Sequence, residues 1–276
     1  MDFSMAGKNS RTCSSVLLMV LTAAVALGFA LLPRFPQPLA YHNFADQRSA
    51  LGIPNFGDVV SNLPFAVIGL WGMTFLLRTD SEQITERFIE RRERWPYLFV
   101  FAGLLLTAFG SSYYHLRPNN ATLVWDRLPM TIMFTAMVAA VIMERVNLRA
   151  GLWLLPVLVL MGLASVLQWY MSELRGTGDL RFYAAVQAYS ALALLTAFLL
   201  PPRYTRGSDL AMVVGFYALA KILELLDKPI LHALHVISGH TLKHLAAATA
   251  GYWILRMLQR REPFVAPARI IPGSFS

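Results

Sequence analysis

Two histidines, His240 and His244, stand four residues apart at the start of an otherwise apolar stretch, SGHTLKHLAAATAGYWIL (238–255). Residues at this spacing share one face of a helix, so the two imidazoles point the same way. Ionisable side chains are costly inside a membrane and are usually kept there for a function. The pair therefore predicts a binding or catalytic site at one end of this helix.

A third histidine and two further polar residues occur in FGSSYYHLRPNNATLVWDRLPM (109–130). Ser111 and His115 are four residues apart and also share a helix face. Asp126 follows eleven residues after His115, beyond a PNN sequence that is typical of a turn. The aspartate can therefore return to the level of the histidine on the next helix.

Three imidazoles from two helices suit a tetrahedral zinc ion with one open position, the arrangement of catalytic zinc sites. Zinc would lower the pKa of its bound water to about 7. A carboxylate such as Asp126 could take the proton of that water, and the Ser111 hydroxyl could hold a developing oxyanion. Such a site would hydrolyse an amide or an ester, and within a membrane it would select a lipid.

Other catalytic motifs fit these residues less well. The sequence HTLKH lacks the glutamate of the H-E-x-x-H zinc proteases. Ser111, His115 and Asp126 could form a serine triad, but the chain has no G-x-S-x-G motif. A haem site would call for a second histidine pair at matching depth on a facing helix, and the sequence contains no such pair.

Several ionisable residues outside this set are expected near the site. Glu224 and Asp227 end the preceding apolar run and could pair with Lys221 and Lys228, or support the metal ligands from behind. His42 lies in a linker rich in turn-forming residues and is predicted to be solvated.

The composition assigns these residues to a membrane protein. Of the 276 residues 56% are hydrophobic and 14% are charged, whereas an average soluble domain has roughly 25% charged residues. Crossing a hydrocarbon core takes about 20 apolar residues, and such runs predict an all-α, polytopic helix bundle. The eight predicted spans lie near 14–33, 58–77, 96–115, 122–143, 150–169, 182–200, 209–226 and 239–258.

The charge distribution predicts an orientation. The net charge is +8, but the basic residues cluster between the apolar runs. This placement indicates that they orient the chain in the membrane by the positive-inside rule, rather than bind nucleic acid. Most of the 24 Lys and Arg fall on the cytoplasmic side when both termini are cytoplasmic. His115, Asp126, His240 and His244 then lie at the outer face of the membrane, which is periplasmic or lumenal. A cytoplasmic segment at 78–95 is predicted to be a charged loop or a short surface helix.

The pattern of these residues resembles the alkaline ceramidases, part of a wider superfamily of seven-span putative metal-dependent hydrolases that includes the progestin/adipoQ receptors. The sequence GDVVSNLPFAVIGLWG (57–72) is similar to the family's first-span signature, with Ser61 and Asn62 at its Ser-Asn pair. The other residues that carry the resemblance are, in order, Ser111, His115, Asp126, His240 and His244.

The resemblance implies a seven-span hydrolase domain over 41–258, followed by a cytoplasmic tail (259–276). The chain departs from the family in an extra N-terminal span and linker (1–40). Its basic start and long apolar run favour an uncleaved anchor over a signal sequence. The resemblance also implies a zinc ion held by His115, His240 and His244, with Ser111 and Asp126 beside it. The reaction it implies is hydrolysis of the ceramide amide to a sphingoid base and a fatty acid. The partners expected are therefore a lipid substrate and the membrane, and no protein partner follows from the sequence.

The resemblance also raises the question of calcium. Family members can carry a calcium site before their first span, and here that segment offers Asn43, Asp46 and Asn55 as oxygen donors. A hard cation normally draws on several carboxylates or carbonyls. Because Asp46 is the segment's only carboxylate, the sequence argues against calcium.

Two other functions are compatible with the same residues. A receptor or lipid-binding protein could use the metal structurally, without turnover. A zinc hydrolase could also act on another lipid amide or ester, such as an N-acyl amino lipid or a glycerolipid. Acyl-chain pockets are generic apolar surfaces, so the sequence alone leaves these alternatives open.

The single cysteine, Cys13, excludes an intramolecular disulfide and a cysteine-based zinc site.

Overall fold

The computed structural model describes residues 3–78 and 86–264, with side chains from Cys13 onward. In these residues the chain forms α-helices and short 3₁₀ turns, with no strand, which confirms the all-α prediction. The first helices are α1 (Phe3–Leu31), α2 (Phe56–Val60), α3 (Leu63–Leu77), α4 (Arg94–Leu116) and α5 (Asn120–Arg145). The remaining helices are α6 (Leu148–Leu174), α7 (Arg181–Thr196), α8 (Asp209–Leu225), α9 (Asp227–Leu234) and α10 (Gly239–Arg260).

Length and composition identify the helices able to cross a membrane. Among the described residues six segments qualify: Cys13–Leu31, Phe56–Leu77, Arg91–Leu116, Asn120–Arg145, Leu148–Leu174 and Arg181–Leu199. The last two predicted spans form α8 and α10, which pack against each other, and α10 also packs against α3. Helix α8 has only 17 residues, and α10 has ionisable residues at both ends. Length and composition therefore identify six membrane spans. Helices α8 and α10 belong to the same bundle by their packing, but do not meet these criteria for a span.

A tight turn connects α4 to α5 and sets where α5 begins. The Asn119 side chain accepts a hydrogen bond from the Thr122 backbone N–H at 3.0 Å, and the Thr122 hydroxyl accepts one from the Asn119 N–H at 3.2 Å. This reciprocal cap satisfies backbone donors that the first turn of a helix otherwise leaves unpaired. It places Asp126 in the second turn of α5, next to the end of α4.

Two glycines allow helix backbones to touch near that end of the bundle. A Cβ on Gly110 would lie 2.0 Å from the Trp125 carbonyl oxygen, so α4 and α5 are in backbone contact there. A Cβ on Gly239 would lie 2.3 Å from the Leu223 carbonyl oxygen, where α10 starts against the end of α8. Both positions need a residue without a side chain because the neighbouring backbone fills the space.

The opposite end of the bundle is held by Arg261, which directly follows α10 and is 1% exposed. Its guanidinium pairs with Glu144 and lies over the rings of Tyr204 at 4.0 Å and Phe88 at 4.4 Å. The predicted tail at 259–276 therefore starts inside a helix and continues into a packed segment, rather than being free from its first residue.

Two sequence predictions fall partly on residues outside the described ranges. Of the predicted charged segment at 78–95, residues 79–85 lie outside the description, while Phe88 is buried under Arg261. Of the predicted tail, residues 265–276 lie outside it.

Candidate metal centre

The three predicted ligands come together at one end of the bundle. His115 is the next-to-last residue of α4, and His240 and His244 lie in the first two turns of α10. One ligand atom from each residue lies within 4.8 Å of the others. The three side chains are 1%, 4% and 3% exposed, respectively. Among the described residues this is the one group of His, Cys, Asp and Glu side chains arranged to hold a metal ion.

The hydrogen bonds of these imidazoles fit a metal at this position. The Nδ1 atom of His115 is buried and has no hydrogen-bond partner. A buried polar atom left unpaired is destabilising, and a metal ion held by the three histidines would give this nitrogen a partner. Imidazole nitrogens suit zinc among other transition metals.

The orientation of His244 is set by Ser61. The Ser61 hydroxyl lies 3.1 Å from the Asp58 carbonyl oxygen, to which it donates, and its oxygen lies 2.8 Å from Nδ1 of His244. Because the single hydroxyl proton goes to the carbonyl, the imidazole is the donor in the second bond. This assignment from the network leaves Nε2 of His244 with a free lone pair, as a metal ligand requires.

Asp58 is a buried carboxylate behind this histidine, and sequence reasoning missed it. It is 0% exposed, and its Oδ1 accepts a hydrogen bond from the Thr241 hydroxyl at 2.7 Å. Its Oδ2 has no hydrogen-bond partner. The available signal was an acidic residue at the mouth of an apolar run, within the GDVVSN sequence. Asp58 joins α2 to the first turn of α10.

Two further acidic residues support α10 from the side of α8. Asp227 accepts the backbone N–H of His240 through Oδ1 and that of Ala45 through Oδ2, both at 2.8 Å. Glu224 pairs with Lys221, and also with Lys243 at 2.7 Å. Asp227 therefore supports α10 and the linker before α2. The ion pairs of the described residues include none between Asp227 and Lys228.

The linker before α2 covers the histidine cluster. Phe44 is 5% exposed, and its ring centroid lies 4.6 Å from that of His115 and 4.4 Å from that of His240. His42 is bound at both ring nitrogens, at 2.8 Å to the Tyr114 hydroxyl and 2.9 Å to Oδ1 of Asn120. The prediction that His42 is solvated was wrong, because the linker folds back onto the ends of α4 and α5.

The three residues considered as calcium ligands are each hydrogen-bonded, Asp46 and Asn43 to residues of the same linker and Asn55 to α4. Both carboxylate oxygens of Asp46 accept hydrogen bonds from Arg48 at 2.7 Å, which holds the pKa of Asp46 below its usual value. The Asn55 amide donates to the His115 carbonyl oxygen at 2.7 Å, so it positions a proposed zinc ligand. Asn43 accepts from the Gln47 amide at 3.0 Å.

Ser111 and Asp126 lie side by side at the contact between α4 and α5. They are 2% and 8% exposed. Both line a cavity of about 370 Å³ that His244 also lines. The structure thus places the two predicted catalytic side chains and one predicted ligand around a single space.

This cavity is polar at one end and apolar over most of its wall. Its volume lies in the range of small-molecule sites. The apolar wall includes Met130, Met133, Phe134, Met137, Leu194 and Val213. The polar end includes Gln37, Tyr41, Asp126, Arg127, Glu224 and Lys243. An amphiphile with an acyl chain and a polar head matches such a wall.

No protein-family model matches this chain, and no curated protein matches it.

Proposed function

We propose that this protein is a membrane-embedded, zinc-dependent amidohydrolase that cleaves the N-acyl amide of ceramide-like lipids to a sphingoid base and a fatty acid. One observation carries the proposal: three buried histidines with ligand atoms within 4.8 Å of one another, beside a cavity lined by Ser111 and Asp126. Three protein ligands leave one position of a tetrahedral zinc ion open, whereas structural sites normally fill all four.

The roles of the residues follow from their chemistry. Bound zinc with an open position supplies a nucleophilic water at neutral pH and polarises the scissile carbonyl. Asp126 accepts the proton of the attacking water and passes it to the leaving nitrogen. Ser111 donates a hydrogen bond to the carbonyl oxygen as negative charge develops there. The water oxygen bonds to the acyl carbon, the C–N bond breaks, and the transferred proton ends on the amine.

The surroundings of the cluster support a lipid substrate. The apolar wall formed by α5, α7, α8 and α10 can hold an acyl chain, and the polar end keeps a head group beside Asp126. Phe44 covers two of the histidines and limits access by bulk water. Ceramide itself is the lipid that the alkaline ceramidase resemblance implies.

Metal content and amide hydrolysis, measured together on the detergent-purified protein, test the proposal. The wild type should hold near-stoichiometric zinc and release fatty acid from ceramide. The double variant His240→Ala, His244→Ala should lose both. Asp126→Asn should keep the zinc and lose about 10²–10⁴-fold in rate, because only the proton transfer is removed.

A second histidine pair supplies the matched control. His232 and His235 are exposed, outside the ligand group, and close to each other in space. The double variant His232→Ala, His235→Asn should keep zinc and activity, and Asn tolerates the left-handed backbone at residue 235 (φ 61°). Hydrolysis by the metal-free His240, His244 variant, or a wild type that holds zinc but turns over no lipid amide, would refute the hydrolase and favour a structural metal.

A further inference from the structure

Arg127 is a buried cation at the polar end of the cavity, and the proposed chemistry does not use it. It directly follows Asp126 on α5, is 5% exposed, and lines the cavity. Its guanidinium lies over the rings of Trp169 at 4.1 Å and Tyr183 at 4.4 Å. One of its nitrogens, Nη2, donates to Oε1 of Gln37 at 2.5 Å.

The guanidinium lacks an anionic partner among the described residues. None of their ion pairs includes Arg127, and its Nη1 is buried without a hydrogen-bond partner. Stacking on aromatic rings stabilises the charge, but a ring provides no oxygen acceptor in the plane of the guanidinium. Buried charges are normally paired and hydrogen-bonded, so Nη1 marks a place for an acceptor.

The other charges around the cavity do not supply one. Glu224 is occupied by Lys221 and Lys243. The charged side chains that line the cavity are three basic residues (Arg127, Lys221 and Lys243) and two acidic residues (Asp126 and Glu224). Together these side chains carry a net formal charge of one positive unit before any metal is bound. A ligand with a negative group would neutralise that charge.

We propose that Arg127 binds an anionic oxygen group in the head of the lipid substrate. The preferred substrate is then a ceramide-like N-acyl amide whose head carries a carboxylate or a phosphate close to the amide, with uncharged ceramide hydrolysed but bound more weakly. This inference rests on the proposed hydrolase function and narrows its substrate. The planar guanidinium suits both groups, since its N–H donors match the oxygens of a carboxylate or a phosphate.

Three probes that differ only at the head test the proposal: N-dodecanoylglycine, N-dodecanoylethanolamine phosphate and N-dodecanoylethanolamine. Binding to the full-length protein in detergent at neutral pH is followed by tryptophan fluorescence, because Trp169 contacts Arg127. The wild type should bind at least one anionic probe about tenfold or more tighter than the neutral one, as expected for a hydrogen bond between charged groups. Which anionic probe is preferred distinguishes a carboxylate from a phosphate.

Two variants assign the preference to Arg127. Arg127→Gln should bind all three probes alike while keeping its metal. Gln37→Glu places a carboxylate against Nη2 and supplies the missing counter-ion with little change in shape, so it should also abolish the preference even if Arg127→Gln fails to fold. Arg175→Gln removes an exposed arginine that follows α6 and should leave the preference unchanged. Equal wild-type affinities for the three probes, or a preference that survives in either test variant, would overturn the assignment.

Two outcomes distinguish the role of Arg127 from the proposed hydrolase function. If the wild type cleaves the neutral probe and binds all three equally, the hydrolase stands and the role of Arg127 falls. If anionic probes bind through Arg127 but none is cleaved and no zinc is held, the binding role stands and the hydrolase falls.

Discussion

At the scale of single residues, the site depends on side chains that do not themselves face the metal position. Ser61 holds Nδ1 of His244 at 2.8 Å, and Asn55 holds the carbonyl of His115 at 2.7 Å. Partners of this kind fix the tautomer and the ring orientation of a ligand, so their removal weakens metal binding although no ligand is lost. The first-span Ser-Asn sequence, which carried the family resemblance, thus has a physical role at Ser61.

Ser61→Ala should lower the affinity for zinc by about 10–100-fold. The substitution removes the acceptor for Nδ1–H of His244 and leaves the ring free to rotate away from the ligand position. The measurement is competition between the full-length protein and a zinc chelator.

Ser112→Ala is the matched control for Ser61. The Ser112 hydroxyl donates to the Val59 carbonyl oxygen at 3.2 Å, and the hydrogen bonds of the described residues include none between it and a histidine side chain. The zinc affinity of Ser112→Ala should therefore stay at the wild-type level. An unchanged affinity in Ser61→Ala would show that Ser61 does not orient the ligand.

At the scale of elements, the α4–α5 hairpin and the start of α10 build the site. The capped turn at Asn119 sets the level of Asp126, and the contact at Gly110 sets the distance between α4 and α5. Asp58 and Asp227 then hold the first turn of α10 from two sides. The placement of the proposed catalytic pair, Ser111 and Asp126, therefore depends on backbone contact, and that of the proposed ligands His240 and His244 on buried hydrogen bonds.

Gly110→Ala should destabilise the protein by about 1–3 kcal/mol and slow hydrolysis, because the added methyl group must push α5 away from α4. A lower thermal unfolding temperature in detergent, together with a reduced rate, is the expected result. Gly215→Ala is the control, since a Cβ there has nothing within 4 Å and alanine favours a helix by up to about 1 kcal/mol. Equal stability of Gly110→Ala and the wild type would contradict the close contact.

At the scale of the whole molecule, the two ends of the bundle have different chemistry. The histidines, Asp126 and the polar end of the cavity lie at one end, where α4 ends and α5 and α10 begin. The other end carries the buried pair of Arg261 and Glu144 and basic connecting segments. The positive-inside rule predicts that the basic end faces the cytoplasm, so the proposed metal centre is expected to face the periplasm or the lumen.

This orientation predicts which introduced cysteines react from outside. In a Cys13→Ser background, Leu51→Cys lies in the linker that covers the site, where Leu51 is 90% exposed. A membrane-impermeant maleimide should label it in intact cells or right-side-out vesicles. Arg92→Cys, at an exposed position next to α4 at the basic end, should react only after permeabilisation. The reverse pattern would place the metal centre on the cytoplasmic side.

Much of the fold and the proposed ligand set could be predicted from the sequence alone. Apolar runs determine helices because backbone groups in lipid must be paired within the segment. The spacing of His240 and His244 determines that they share a face, and the short PNN turn determines that Asp126 returns to the level of His115. These are local relations, so periodicity is enough to predict them.

Only the tertiary structure decided the contacts between distant segments. Examples are Ser61 with His244, Asp227 with Ala45, and Arg127 between Trp169 and Tyr183. For the same reason His42 is bound rather than solvated, and Asp58 is buried although it stands at the start of a span. Hydropathy determines that a segment is buried, but the rotation of each helix and the small residues at its contacts decide which polar groups meet.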